Sequence, residues 1–226
     1  MKFCAIVVAA GRGVRFGRSK QLIDVAGRPL VAWCIATFGE LAELDQMVIA
    51  TEPDQIEELA ALAARFAPRL QSQVVAGGAT RQASTRNALA AVPAACDGVF
   101  VHDGARPLVT VADVRAGMAA VALGTGAVLA APVVDTIKVV PKGSRTVART
   151  LEREELWAAQ TPQFAATVDL RTAHAAAERD GFAATDDVAL LERCGMTVVV
   201  IPSSGDNFKV TQPGDRDRAE AILRSR

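Results

Sequence analysis

Phe3 to Ala9 form an unbroken apolar run rather than an alternating one. A strand that is apolar on both faces needs cover on both, as in the buried, mostly parallel sheets of α/β folds. Similar runs recur at Met47–Ala50, Gly98–Val101, Ala127–Ala130 and Thr197–Ile201. Between them the period changes. Ile56, Leu59, Ala60, Ala63 and Phe66 fall on one helical stripe, and residues 83–91 and 111–123 read similarly. Strand alternating with helix predicts an α/β fold with helices on both faces of the sheet and right-handed crossovers.

The 226 residues are half hydrophobic and 22% charged, enough for a sizeable core and too apolar for a disordered chain. That length predicts a single domain over residues 1–226, with at most a protruding element. Lys+Arg and Asp+Glu are 25 each, so no net field would hold the chain on nucleic acid or an anionic membrane. Cys4, Cys34, Cys96 and Cys194 lie too far apart to suggest a zinc site. Buried reduced thiols in a cytoplasmic protein are the expectation. The apolar N-terminus could imitate a signal peptide, but it runs into a Gly/Arg-rich loop and reads as a first buried strand.

One stretch breaks the rhythm. Asp135–Val140 and Arg145–Leu151, on either side of Pro141-Lys142-Gly143-Ser144, read as a hairpin. With its base this arm spans residues 135–155, and it either covers a site or pairs with another subunit. A C-terminal helix is expected from Pro213 to Arg224, with proline in its first turn.

The chemistry gathers behind the strands. Ala9-Ala10-Gly11-Arg12-Gly13 follows the first one, where a glycine turn lets backbone N–H groups approach a phosphate or a base. Neither the dinucleotide fingerprint nor a P-loop fits it. Instead Arg12, Arg15, Arg18 and Lys20 crowd into nine residues, which suits clamping a triphosphate; a solvated basic loop is the plainer alternative. Gly77-Gly78 opens a second turn carrying Arg81 and Ser84, suited to a base edge or an anion at a helix start and equally to a simple cap. Asp103, ending a buried strand three residues before Arg106, suits a Mg²⁺ ligand beside a phosphate contact, with a turn cap as the alternative. His102 reads as structural. Thr185-Asp186-Asp187 and Asp206-Asn207-Phe208-Lys209 add acids and a lysine, and Thr185-Asp186 alone would pass for a helix cap. With only His102 and His174 available, no Ser-His-Asp arrangement is visible.

Taken in order, the Gly/Arg loop closing on Lys20-Gln21, Gly77-Gly78-x-x-Arg81-x-x-Ser84, Val101-His102-Asp103-x-Ala105-Arg106-Pro107, Asp135-Thr136-Ile137-Lys138, Leu156-Trp157-x-x-x-Thr161-Pro162-Gln163-Phe164, Thr185-Asp186-Asp187 and Asp206-Asn207-Phe208-Lys209-Val210 resemble the 2-C-methyl-D-erythritol 4-phosphate cytidylyltransferase family. The likeness covers nearly the whole chain. Ser19 stands where that family usually has proline, and Gly104 where it often has alanine.

The resemblance implies a Rossmann-like sheet of the nucleotide-diphospho-sugar transferase type, and synthesis of 4-diphosphocytidyl-2-C-methyl-D-erythritol from CTP for the non-mevalonate isoprenoid pathway. By the same resemblance, Arg15 and Lys20 would stabilise the transition state, and Arg153 and Lys209 would position the methylerythritol phosphate. Thr136, Thr161, Thr185, Asp103 and Arg106 would line the substrate site, joined by Arg81, Ala105 and Asp206. Ala9, Ala10, Gly11, Gly78 and Ser84 would hold the cytidine. Asp103 and, more weakly, Asp206 would meet Mg²⁺ or another divalent ion, and the arm would cross to the partner in a homodimer. Three rival readings are a cytidylyltransferase for another polyol phosphate such as ribitol 5-phosphate, a non-catalytic nucleotide-binding module, and a nicotinamide-dependent dehydrogenase. The missing third glycine and the crowd of arginines weigh against the dehydrogenase.

Overall fold

A computed structural model describes residues 1–11 and 20–226. In chain order its elements are β1 (Phe3–Val8), β2 (Asp24–Val25), β3 (Arg28–Pro29), α1 (Leu30–Gly39), β4 (Leu44–Thr51), α2 (Ile56–Phe66), β5 (Gln71–Ala76), α3 (Arg81–Ala90) and β6 (Gly98–Asp103). There follow α4 (Val111–Ala119), β7 (Thr125–Pro132), β8 (Lys138–Val139), β9 (Arg149–Thr150), β10 (Trp157–Ala166), α5 (Thr167–Arg179), α6 (Val188–Arg193), β11 (Thr197–Pro202) and α7 (Pro213–Ser225). Among the described residues no helix is long and apolar enough to cross a membrane.

The main sheet has seven strands in the order β11-β7-β10-β6-β1-β4-β5. All run in one direction except β10, which pairs antiparallel with both β6 and β7. The apolar run of β1 is divided as its length predicts. Phe3, Ala5, Val7 and Ala9 enter one core with α1, α2 and α4, while Cys4, Ile6 and Val8 enter the other with α3, α5 and α6. Phe38, Phe100 and Phe164 are fully buried and meet in sequence, the first pair edge-on and the second tilted, with centroids 5.0 and 5.6 Å apart. A third cluster fastens α7 to the β2–β3 hairpin through Ile23, Val25, Leu30, Val210 and Ala219.

Because β1 is central and the chain winds to β4 on one side and β6 on the other, a crevice opens at the carboxyl ends of these strands. Ala10, Thr51 and the 77–78 turn border it after β1, β4 and β5, and Asp103 ends β6.

The structure differs from expectation at three places. The arm is paired only at Lys138–Thr150 and Val139–Arg149, around a turn in which Ser144 N–H donates to Pro141 O and Gly143 takes φ +83°. Most of its residues are exposed, and a two-stranded ribbon without a packed face supports little ladder. The helix expected over 111–123 stops at Ala119, because Ala122 and Thr125 exchange backbone bonds around Gly124 at φ +73°. Finally, β10 was not expected. Pro162 interrupts its pattern and lies within the register shift between Ala159 and Gln163, where a ladder tolerates proline.

Phe164 abuts Gly117 so closely that a Cβ there would stand 2.1 Å from its ring. Gly117→Ala should therefore destabilise the protein by about 1–3 kcal/mol through overpacking. Phe164→Ala should cost about 3–5 kcal/mol through the cavity it leaves. Urea midpoints at equal slope test both, and a wild-type midpoint for either variant would contradict this packing.

Candidate active site

Two adjoining clefts occupy the carboxyl edge. The larger, about 430 Å³, is bordered by Ala10, Gly11, Thr51, Pro53 and the Gly77–Arg81 turn. The smaller, about 180 Å³, is bordered by Ala10, Gly11, Lys20, Gln21, Arg81, Asp103, Ala105 and Lys209. Ala10, Gly11 and Arg81 therefore belong to both.

The larger cleft owes its form to two close approaches. A Cβ on Gly77 would stand 2.3 Å from Ala10 Cβ, and one on Gly78 would stand 2.5 Å from Ala83 Cβ. Ser84 is fully buried beneath this turn, where its hydroxyl accepts from Gly78 N–H (3.0 Å) and lies 2.9 Å from Thr80 O. Thr80 caps α3 by accepting from Ala83 N–H at 3.0 Å. Ser84 thus shapes the cradle from below, while Gly78 borders it.

The smaller pocket is organised by Asp103. Oδ1 accepts from Arg81 Nε at 2.9 Å; Oδ2 lies 2.8 Å from Lys209 Nζ and 3.7 Å from Arg106 Nε. Burial alone would raise the Asp103 carboxyl, but the Arg81 and Lys209 charges hold it well below the usual carboxylate range. Asp187 is likewise buried and held low by His174 and Arg81, and its Oδ2 accepts from Arg81 Nη1 at 2.7 Å.

Beneath the pocket runs a chain of hydrogen bonds. Asp103 N–H donates to Thr161 Oγ1 (3.0 Å), which lies 3.1 Å from His102 Nδ1; His102 Nε2 is 3.0 Å from Arg106 O. A carbonyl can only accept, so the proton sits on Nε2 and Nδ1 accepts from the threonine hydroxyl. Burial pushes His102 down to about 4, which keeps the ring neutral and suits that tautomer. His102 is therefore structural, as expected, and fixes the 103–106 turn. Arg106 donates to Asn207 O (2.7 Å), and Asn207 Nδ2 donates to Gln160 Oε1 and Thr161 O. This ties the 203–209 loop to β10 and sets Lys209 beside Asp103.

The expected site residues separate into groups. Ala10, Gly11, Gly78, Lys20, Arg81, Asp103, Ala105 and Lys209 border the clefts. Ala9, Ser84, Thr161 and Arg106 support them from behind, with Thr161 3% exposed and its hydroxyl committed inward. Asp206 is turned toward Arg218 at 3.3 Å, and Thr136 and Thr185 are exposed on neighbouring segments. Arg153 lies at the base of the arm, donating to Val134 O at 3.0 Å. Arg15 falls outside the described residues. Sequence reasoning passed over Gln160, Gln163, His174 and Asn207, and gave Asp187 no partner. Of these, Gln163, Asp187 and Asn207 stood inside recognised motifs.

Among the described residues no three His, Cys, Asp or Glu side chains converge to cage a metal. Of the two expected metal contacts only Asp103 borders a cleft, and both of its oxygens already face cations, so a Mg²⁺ ion there would keep most of its shell as phosphate oxygen and water. Asp206 borders neither cleft.

Glycine cradle, cation-lined pocket and switch-point crevice together define an α/β nucleotidyltransferase. The family model described as "IspD: 2-C-methyl-D-erythritol 4-phosphate cytidylyltransferase" matches residues 3–225, and the chain belongs to that family. Relatives of the same description from Gloeobacter violaceus and Halalkalibacterium halodurans are 41% and 40% identical, over 97% and 99% of this chain and 95% and 97% of theirs. The crystal structure of the Thermus thermophilus cytidylyltransferase superposes with a TM-score of 0.80 at 34% identity, covering 99% of this chain and 100% of that one.

A carboxyl lowered by folding stabilises fully above its unfolded pKa of about 3.9, and that contribution is lost as pH falls toward the folded value. Wild-type stability should therefore drop below about pH 4 as Asp103 and Asp187 take up protons. Asp103→Asn, lacking one of them, should lose less over that interval. Urea unfolding of both proteins at neutral and acid pH checks the sign, and parallel pH curves would contradict it.

Proposed function

We propose that this chain transfers CMP from CTP to 2-C-methyl-D-erythritol 4-phosphate, releasing pyrophosphate and 4-diphosphocytidyl-2-C-methyl-D-erythritol for isoprenoid precursor synthesis. One observation carries the reading to particular residues: a cradle of backbone adjoins a pocket whose borders present Lys20, Arg81 and Lys209. The cytidine occupies the larger cleft against Ala10, Gly11 and Gly78, with Ala9 and Ser84 supporting that wall from behind. The triphosphate turns into the smaller one.

An oxygen of the acceptor phosphate attacks the α-phosphorus in line. The new P–O bond forms as the bond to the bridging oxygen breaks, and pyrophosphate leaves with the electron pair. The attacking oxygen is already anionic, so no general base is needed. Asp103, ionised and paired with cations, is poorly suited to be one. Lys20 and Arg15 meet the charge that grows in the transition state, while Lys209 and Arg153 grip the acceptor phosphate. Thr136, Thr185 and Arg106 complete the acceptor side. Asp103 would be the protein contact of a Mg²⁺ ion bound with CTP, which would neutralise and orient the triphosphate.

Arg153 borders neither cleft of its own chain, and the arm beside it carries little packed surface. Both features favour a homodimer in which arm 135–155 delivers Arg153 to the neighbouring site, each surface meeting its equivalent. The buried, unpaired thiols Cys4, Cys34 and Cys96 suit a reducing cytoplasm.

Lys20→Ala should lower kcat by about two orders of magnitude, the effect of losing one preorganised donor. Pyrophosphate release with CTP, Mg²⁺ and a panel of acceptors measures it. Wild-type turnover in the folded variant would remove Lys20 from the chemistry, and equal turnover of ribitol 5-phosphate would widen the acceptor assignment.

Mixing Lys20→Ala with Arg153→Ala protomers should restore activity, because a heterodimer regains one site with both residues intact. Subunit exchange confirmed by mass without recovery would place Arg153 in its own subunit's site.

A further inference from the structure

The pocket wall stops at Arg81, yet the chain of charges does not. Arg81 offers Nε to Asp103 and Nη1 to Asp187, so one guanidinium is held between two buried carboxylates. Beyond Asp187 stands His174, with Nε2 3.5 Å from Asp187 Oδ1. The sequence Lys209–Asp103–Arg81–Asp187–His174 thus runs from the pocket wall into the interior between α3 and α5.

Asp187 occupies the N-cap position of α6, where an acid would ordinarily accept from the first turn, but its side chain makes no capping bond. That work is done by its neighbours. Asp186 Oδ1 accepts from Ala189 N–H at 3.0 Å, and Gln163 Oε1 accepts from the N–H groups of Asp187 (2.8 Å) and Val188 (3.1 Å). The helix start is satisfied without the Asp187 carboxylate, which is buried and turned to Arg81. Burying a carboxylate is costly, and an ion pair repays that cost poorly as a stabiliser. Its geometric effect is definite: with Nη1 pinned, the guanidinium cannot rotate, and Nε is left aimed at Asp103.

We infer that Asp187 is a positioning residue for nucleotidyl transfer, acting through Arg81 to hold Asp103 and Lys209 at the pocket wall. It touches no reacting atom. The inference rests on the reading of the smaller cleft as the phosphate pocket. It adds that the placement of Asp103 and Lys209 is set from the interior, by a residue that borders neither cleft.

The experiment is a double-mutant cycle with CTP, Mg²⁺ and 2-C-methyl-D-erythritol 4-phosphate, using Asp187→Asn, Arg81→Gln and the pair. Asn keeps the shape and one acceptor oxygen, and urea unfolding checks that each variant is folded. Asp187→Asn should lower kcat/KM roughly 10- to 100-fold, as a small misplacement of catalytic groups does. In the Arg81→Gln background the same change should cost less than about threefold, because the residue through which it acts is gone. Undiminished kcat/KM in folded Asp187→Asn, or an equal loss in both backgrounds, overturns the proposal. If Asp187→Asn does not fold, Asp187→Glu, which keeps the charge and displaces it, takes its place in the cycle, and the same two results support or overturn the proposal. A wild-type protein that releases no pyrophosphate would instead sink the underlying assignment of the reaction, a result distinct from either.

Discussion

A single carboxylate gathers the polar half of this molecule. Asp103 stands at the end of a central strand, where the β1–β6 pairing sets Val8 opposite it, and draws Arg81, Lys209 and Arg106 from three separate parts of the chain. Without that charge three cations would face one another across a few ångströms, each partly stripped of water. With it, the α3 N-terminus, the 203–209 loop and the 103–106 turn share one anchor. The apolar strands beneath make the anchor rigid, since β6 is buried along its whole length.

The polar groups under the pocket show why the rigidity extends to side chains. His102 and Thr161 occupy sheet positions that would otherwise be apolar, yet both are fully engaged, and each bond has one donor and one acceptor. A completed network of this kind fixes orientation at small cost, whereas one missing partner would leave a buried group unsatisfied. The proposed chemistry asks for that property: charges placed before the substrate arrives need not reorganise as charge moves between phosphates.

Much of this was legible in the sequence, for identifiable reasons. Strands such as β1 and β6 are apolar on both faces, and only a doubly covered sheet accepts them. The glycine turns announced the crevice because residues 77 and 78 lie where neighbouring atoms leave no room for a Cβ. The antiparallel β10 was hidden by Pro162, whose local meaning argues against a strand while its tertiary setting permits one. Asp187 was read beside its neighbours in Thr185-Asp186-Asp187, because sequence cannot show which of two adjacent acids caps a helix and which turns inward. Nor does spacing bring Asn207 to Gln160, 47 positions away, since that meeting depends on the whole crossover between them.

The reversed direction of β10 has a further consequence. Because β7 ends and β10 begins at the same edge of the sheet, the whole excursion between them leaves and returns at the rim of the crevice, its ends joined where Val133 N–H donates to Leu156 O at 3.0 Å. The tip of the arm can therefore lengthen, shorten or change sequence with no effect on the register of the sheet, because its two ends enter paired strands side by side, Pro132 opposite Trp157. Its root, by contrast, continues into the strand that carries Thr161 and, through that hydroxyl, meets the amide of Asp103.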